Sequence, residues 1–117
     1  MTTYTTQQKP QATQSVIHWR QTRRAFLMAQ SPRCHYCDVL LIRWTYDPLK
    51  RGIQPTTDYM RNEHGYLVGY ATLDHKKPIV CGGHDSEENT VLACAHCNAA
   101  KGHMDYDDFV AIMWETR

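Results

Sequence analysis

The chain has 117 residues, five cysteines and a formal net charge of +1, which suits one domain whose modest core a bound metal could stabilise. It has no apolar run long enough to span a membrane and no apolar segment near its start, which argues against a membrane protein or a secreted one. We therefore expect the cytoplasm, where paired cysteines bind metal more often than they form disulfides.

The first part of the chain predicts an arm, a helix and a strand. Residues 1–14 are polar and should form a disordered arm, and residues 15–117 should form a single domain. Apolar residues recur at helical spacing over 15–30, and Ser31-Pro32 should end this helix. Residues 39–46 are rich in β-branched and aromatic side chains and should form a strand.

The second part of the chain predicts a hairpin, further extended segments and two helices. A turn over residues 63–65 should separate two strands. Pro78 and the apolar residues after it should begin another strand, and residues 90–93 should be extended. A short helix over 94–101 should precede a last helix capped by Asp105, which gives an α+β domain.

Four of the five cysteines form two matched Cys-x-x-Cys pairs. Each pair can offer two thiolates from one tight turn, and two such turns can close a tetrahedron around Zn²⁺. We therefore predict a structural zinc site formed by Cys34, Cys37, Cys94 and Cys97. The alternative is two unrelated pairs, one of them redox-active, which would give thiol exchange and no tightly held zinc. Zinc with four thiolates has no open position, so catalysis would have to use other residues.

An acid, an imidazole and a carboxamide supply groups that phosphodiester hydrolysis needs. Asp74 and Asn98 offer oxygen ligands for a largely hydrated Mg²⁺-type ion, and His75 can take a proton from water. Adjacent strand residues point to opposite faces, so Asp74 and His75 should share a site only if the strand ends or bends between them. Pro78 and the glycines after it make such a bend reasonable.

Basic side chains are concentrated in places although the net charge is low. Arg20, Arg23 and Arg24 lie close together on the predicted first helix, and Lys76 and Lys101 accompany the acid–imidazole pair and the short helix. A locally basic surface of this kind can bind nucleic-acid phosphates. A solvated surface of mixed charge is an equal alternative for the arginines, as is a helix-end cation for Lys101.

Together these motifs resemble an HNH endonuclease of the zinc-knot type, a family with the ββα-metal fold. The motifs that carry the resemblance are Cys34-x-x-Cys37, Asp74-His75-x-x-Pro78, Gly82-Gly83, Asn89, Cys94-x-x-Cys97-Asn98 and Lys101-Gly102. The resemblance covers residues 20–102, most of the chain. It implies a small ββα-metal domain with a structural four-cysteine zinc site and flanking helices.

The resemblance also implies a role for each residue of the site. His75 would be the general base, and Asp74 and Asn98 would bind the catalytic divalent ion. Asn89 would pin the loop between strand and helix and so orient His75. Many members have His as the third letter of the family name, whereas this chain has Asn98, and an aspartate with an asparagine favours Mg²⁺ or Mn²⁺.

For substrate and partners, the resemblance implies DNA, cut to leave a 5′-phosphate and a 3′-hydroxyl. One site breaks one strand, so a double-strand break would need a second copy or another partner. The chain resembles very small HNH proteins that bacteriophages encode near their DNA-packaging genes, which implies action with terminase in the host cytoplasm. The alternative from another class is a non-catalytic, zinc-stabilised nucleic-acid-binding module.

Overall fold

The computed structural model describes residues 14–43 and 56–115. Within these ranges the protein has three α-helices and four strands, which confirms the predicted α+β class. The predicted arm up to residue 13, the end of the predicted first strand and most of the loop after it lie outside the described residues. None of the helices in the described ranges is long and apolar enough to cross a membrane.

The strand β3 (Leu67–His75) is the centre of the sheet. Its first half lies between β1 (Leu40–Ile42), which runs parallel to it, and β2 (Met60–Arg61), which runs antiparallel. Its second half pairs antiparallel with β4 (Thr90–Cys94). One long strand therefore joins the two parts of the sheet, and the turn before it lies where the sequence predicts.

The strand pairing continues to the last residue of β3. Asp74 lies opposite Val91 and His75 lies opposite Thr90, so the strand does not bend between the acid and the imidazole. Of the two alternatives, the bend is therefore not seen, and the strand ends at His75 itself. Both residues reach the same region because they lie at the end of the strand, where the chain leaves the sheet.

The three helices pack around this sheet. The helix α1 (Gln14–Gln30) lies against β3 and β4, and α2 (Ala95–Lys101) follows β4 directly and packs back on both strands. The helix α3 (Tyr106–Glu115) begins after Asp105, whose Oδ2 accepts a hydrogen bond from the Asp107 amide at 3.1 Å. An antiparallel strand pair followed at once by a helix gives the predicted ββα unit.

The connection from β3 to β4 contains a 3₁₀ turn instead of the strand expected after Pro78. Residues Ile79–Cys81 form this turn, and the Cys81 and Gly82 amides donate to the Pro78 and Ile79 carbonyls. Gly82 has φ of 94°, which reverses the chain and ends the turn. These hydrogen bonds within the turn take the place of strand pairing. The side chains of Ile79 and Val80 are exposed on this turn.

The cysteines belong to the same buried cluster as the apolar core. Tyr36 packs edge-on against Phe109 of α3, with ring centroids 4.9 Å apart, and Leu41 and Leu92 belong to the same cluster. Cys34, Cys94 and Cys97 are buried with them. The core of this small domain is thus built around its thiols.

Candidate active site

The four cysteines of the two Cys-x-x-Cys pairs converge on one point. Their Sγ atoms all lie within 4.8 Å of one another, and Cys37 Sγ is 3.7 Å from Cys94 Sγ. Four sulfurs about 2.3 Å from a central Zn²⁺ are about 3.8 Å apart, so this spacing fits zinc. The predicted four-cysteine cluster is confirmed. The fifth cysteine, Cys81, is exposed and outside the cluster.

Backbone amides and neighbouring thiols form hydrogen bonds that affect the ionisation of the cluster. The Tyr36 amide donates to Cys34 Sγ at 3.4 Å and the Cys97 amide donates to Cys94 Sγ at 3.3 Å, contacts that favour thiolate. The hydrogen bond with Cys34 lowers the pKa of Cys37 and raises the pKa of Cys97. The four thiols therefore cannot all ionise unless a positive charge balances them, and a divalent cation supplies that charge.

The hydroxyl of Tyr59 lies beside this cluster. It is 3.3 Å from Cys37 Sγ and 3.5 Å from Cys94 Sγ. Burial, followed by the hydrogen bond to Cys37, raises the pKa of Tyr59, so its hydroxyl keeps the proton and can donate it to a thiolate. The Tyr59 ring packs against His96, with centroids 4.8 Å apart, which holds the hydroxyl in place.

The carboxylate of Asp74 is held through one of its two oxygens. The Tyr36 hydroxyl donates to Oδ2 at 2.5 Å, and Lys101 Nζ lies 3.5 Å from the same oxygen. Burial and then the hydrogen bond to Asp74 raise the pKa of Tyr36, so the phenol is the donor. Because both contacts use Oδ2, the second oxygen, Oδ1, could serve as a ligand atom for an ion.

The imidazole of His75 is held through Nε2. Asp85 Oδ1 lies 2.7 Å from this nitrogen, and Arg20 donates to both Asp85 oxygens at 2.9 and 3.0 Å. The hydrogen bond from Arg20 lowers the pKa of Asp85, with help from His75 and against the effect of burial. An ionised Asp85 can only accept, so Nε2 carries the proton. In the neutral ring Nδ1 is then the nitrogen that can take a proton from water.

The carboxamide of Asn98 is oriented by the hydroxyl of Thr72. Thr72 Oγ1 donates its only proton to the Ala93 carbonyl at 2.8 Å, so towards any second partner it can only accept. That partner is Asn98 Nδ2, at 3.0 Å. The hydrogen-bond network therefore fixes which way the amide points, and Asn98 Oδ1 could serve as a ligand atom.

The side chain of Asn89 closes the connection between β3 and β4. Its Oδ1 accepts from the Lys77 amide at 2.8 Å, and its Nδ2 donates to the Lys77 and His84 carbonyls at 3.0 and 2.9 Å. The backbone is so close at Gly83 that an added Cβ would lie 1.8 Å from the Lys77 carbonyl oxygen. Asp85 belongs to this connection, so the same contacts determine where its carboxylate can lie.

The acid, the imidazole and the carboxamide line one open pocket at the end of β3. Its volume is about 230 Å³, and Asp74, His75 and Asn98 all contribute to its wall. Carboxylate and amide oxygens are hard ligands that suit Mg²⁺ or Mn²⁺. The pocket therefore brings oxygen atoms that could hold a divalent ion close to an imidazole that could act as a base.

A family match agrees with this geometry. The model of the HNH endonuclease family matches residues 60–104, which contain β3, β4, α2 and all three pocket residues. This segment matches the HNH endonuclease family. The match indicates a nuclease, a phosphodiester hydrolase that acts on nucleic acid. No curated protein gives a match to this chain.

Residues that precede the matched segment contact this candidate site. Cys34 and Cys37 complete the sulfur cluster. Tyr36, between those two cysteines, donates to Asp74, and Arg20 of α1 binds the acid that contacts His75. The helix α1 and the turn that contains Cys34 and Cys37 therefore contact the candidate site directly.

Of the five basic residues predicted to bind nucleic acid, Lys101 is placed differently by the structure. Its side chain has 0% exposed surface, and Nζ donates to the His75 carbonyl at 2.9 Å beside the Asp74 carboxylate. No surface is left for a phosphate. Lys101 is instead an internal cation that ties α2 to the end of β3, which corrects the prediction.

The other four basic residues are half-buried but accessible. Arg20 binds Asp85, Arg23 donates to Thr90 Oγ1 at 3.2 Å, and Lys76 lies over the Tyr106 ring. Burial, followed by the charge of Arg43, lowers the pKa of Arg24. Contact of these residues with nucleic acid stays a prediction.

Three residues of the site were not predicted from the sequence: Tyr36, Thr72 and Asp85. Thr72 could have been found, because it lies two positions before Asp74 and so shares a face of the same strand. Asp85 begins the acidic run before Asn89, and a run of this kind is usually a solvated surface. For Tyr36 the sequence offers no signal beyond its place between two cysteines.

Proposed function

We propose that this nuclease is a metal-dependent DNA endonuclease in which His75 is the general base and Asp74 and Asn98 bind one divalent ion. The observation that carries the proposal is the single pocket lined by all three side chains. Each of the three side chains makes its internal contact through one of its own polar atoms. Its second polar atom can then take part in the reaction.

In the proposed reaction, His75 Nδ1 accepts a proton from the water that attacks phosphorus, while Nε2–H stays bonded to Asp85. Asp74 Oδ1 and Asn98 Oδ1 are the atoms that would hold the ion. When bound, Mg²⁺ or Mn²⁺ neutralises the charge that develops on the phosphoryl and leaving oxygens. Asn89 keeps the connection closed so that Asp85 stays within reach of the ring. The products would be a 5′-phosphate and a 3′-hydroxyl.

DNA would be held chiefly through its phosphates. Arg20, Arg23, Arg24 and Lys76 are the accessible basic residues that support this part of the proposal. Phosphate contacts carry no sequence information directly, so we expect weak sequence preference. The affinity should fall steeply with salt, because each neutralised phosphate releases counterions.

The biological setting belongs to the proposal as well. One site cuts one strand, so the protein nicks DNA alone and needs a second copy or a partner to cut both strands. The resemblance to small phage HNH proteins supports terminase as that partner, in the host cytoplasm. Co-purification with a packaging motor would support this extension, and cleavage that no such motor changes would contradict it.

Nicking of a supercoiled plasmid tests the proposed function. Zinc-loaded protein should relax the plasmid only after Mg²⁺ or Mn²⁺ is added, and Asp74→Asn and Asn98→Ala should lose this activity but keep zinc. Asp108→Asn, which removes a carboxylate from the exposed side of α3, is the matched control. DNA binding without nicking in any divalent ion would favour the non-catalytic module, and nicking without added ion would contradict the proposed metal role.

A further inference from the structure

Three side chains link α1 to the proposed general base. Arg20 Nε and Nη2 donate to the two oxygens of Asp85, and Asp85 Oδ1 lies 2.7 Å from His75 Nε2. The exposed fraction of these side chains falls from 37% at Arg20 to 22% at Asp85 and 15% at His75. The contact next to the imidazole is therefore the least exposed to water. A hydrogen bond that is shielded from water is stronger, so it restrains the ring more firmly.

The contact with Arg20 fixes the plane of the Asp85 carboxylate. A guanidinium that donates to both oxygens allows one arrangement of the pair, whereas a single hydrogen bond would allow the carboxylate to turn. Asn89 holds the backbone of the same connection. Asp85 therefore cannot leave the ring of His75 without breaking several contacts at once.

The carboxylate also determines which ring nitrogen of His75 is protonated. Ionised Asp85 accepts only, so it selects the form of the ring with hydrogen on Nε2 and a lone pair on Nδ1. Without Asp85, the neutral imidazole would exchange between two tautomers and rotate more freely. The fraction of molecules with Nδ1 ready to accept a proton would then fall.

We propose that Asp85 is a positioning residue for His75 and that Arg20 acts through Asp85, so that α1 is part of the active site. This inference rests on the proposed role of His75 as the general base. The segment that matches the HNH family begins at residue 60, so Arg20 lies in a part of the chain that the match does not cover. This positioning role is separate from the phosphate contact proposed for Arg20.

Single-turnover cleavage of a DNA duplex, with protein and Mg²⁺ in excess, tests the role of Asp85. Asp85→Ala should lower the rate by about 10- to 100-fold, the usual effect of removing a partner that orients a functional histidine, and Asp85→Glu should recover part of it. Zinc content and DNA affinity should not change. Glu88→Gln is the matched control, because it removes one negative charge from an exposed position of the same connection.

A double-mutant cycle tests whether Arg20 acts through Asp85. Arg20→Met should lower the single-turnover rate of the otherwise wild-type protein, and Arg20→Lys should lower it less. In the Asp85→Ala background, Arg20→Met should cause no further loss of rate. A phosphate contact of Arg20 would lower DNA affinity equally in both backgrounds, so a separate binding measurement distinguishes the two roles. Equal rate losses in both backgrounds would contradict action through Asp85.

The tautomer of His75 can be measured, and it would not change if Asp85 had only a structural role. Nitrogen NMR of the zinc-loaded protein should show His75 with hydrogen on Nε2, and Asp85→Ala should give a mixture of both tautomers. If Asp85→Ala fails to fold, the isosteric Asp85→Asn takes its place, with the same loss of rate expected. A wild-type rate or an unchanged tautomer would overturn this inference and leave the role of His75 intact. Normal cleavage by His75→Ala would instead overturn the proposed function.

Discussion

Each of the three side chains proposed to act in the pocket has one atom engaged by the protein and a second atom that could take part in the reaction. Asp74 uses Oδ2, His75 uses Nε2 and Asn98 uses Nδ2 for these internal contacts. Side chains oriented in advance lose little conformational freedom when the ion and DNA bind. The residues that orient them should therefore matter almost as much as the functional residues themselves.

Thr72→Val tests the orientation of the Asn98 carboxamide. Valine has the same shape but cannot accept from Nδ2, so the amide is free to turn its oxygen away from the pocket. We expect about tenfold weaker Mn²⁺ binding, measured by electron paramagnetic resonance, and a similar loss of nicking. Thr72→Ser keeps the hydroxyl and should behave like the wild type. Equal Mn²⁺ affinity in the valine and serine variants would contradict this role.

Lys101→Met tests the assignment of Lys101 as an internal cation. The change leaves the buried carboxylate of Asp74 without its positive partner, which should destabilise the zinc-loaded protein by about 3 kcal/mol or more. Lys77→Met, at an exposed position, should stay within about 0.5 kcal/mol of the wild type. Denaturant unfolding at fixed free zinc measures both. Weaker DNA binding at unchanged stability would show instead that Lys101 reaches a phosphate.

The strands and helices of the ββα unit could be predicted because their signals are local. The turn that precedes β3, the extended residues of β4 and the glycine after α2 are short patterns that the structure reproduces. The strand predicted at Ile79 and Val80 is a 3₁₀ turn in the structure. β-Propensity reflects how well side chains fit a sheet, and it does not indicate which backbone groups will pair with the segment. Between Pro78 and Gly82 the partners are the carbonyls of the turn itself.

The residues that orient the site could not be predicted in the same way. Tyr36 and Asp74 are 38 positions apart, and Thr72 and Asn98 are 26 apart. Periodicity and motif spacing report which residues share a face or a turn. They do not indicate which hydroxyl will contact which carboxylate after α2 and the turn that contains Cys34 and Cys37 pack against β3. The cysteines are the exception, because two matched pairs predict a common metal at any separation.

Gly83→Ala tests the closed connection between β3 and β4 as a unit. The added methyl would lie 1.8 Å from the Lys77 carbonyl oxygen, so the connection must open and carry Asp85 away from His75. We expect the cleavage rate to fall on the order of 10- to 100-fold, as displacements of about 1 Å near a reacting group often cause. The four cysteines lie elsewhere, so zinc content should not change. Glu88→Ala, exposed in the same connection, should cut normally, and normal cutting by Gly83→Ala would contradict this account.

At the scale of the whole molecule, the sulfur cluster fastens distant parts of the chain. One pair of cysteines precedes β1, whereas the other pair lies at the junction of β4 and α2. A metal bound only by the folded arrangement stabilises it, because its binding energy is absent from the unfolded chain. The proposed catalytic pocket would therefore depend on an ion that takes no part in the reaction.

Removal of one sulfur ligand tests this dependence. Free zinc at about 100 times its dissociation constant would stabilise the wild type by about 2.7 kcal/mol, and Cys97→Ser should lose this contribution and unfold at a lower temperature. Cys81→Ser is the control, because Cys81 lies outside the cluster. This variant should still bind one zinc per chain. Metal analysis after dialysis and thermal unfolding measure both properties. Full zinc retention by Cys97→Ser would contradict the four-sulfur site.

Single-turnover plasmid nicking by His75→Ala tests whether His75 is the base of a metal-dependent nuclease. With Mg²⁺ present, the rate should fall by at least about 100-fold, the usual minimum contribution of a general base, while zinc content and DNA affinity stay at wild-type values. Nicking at the wild-type rate by zinc-loaded His75→Ala protein would contradict the account.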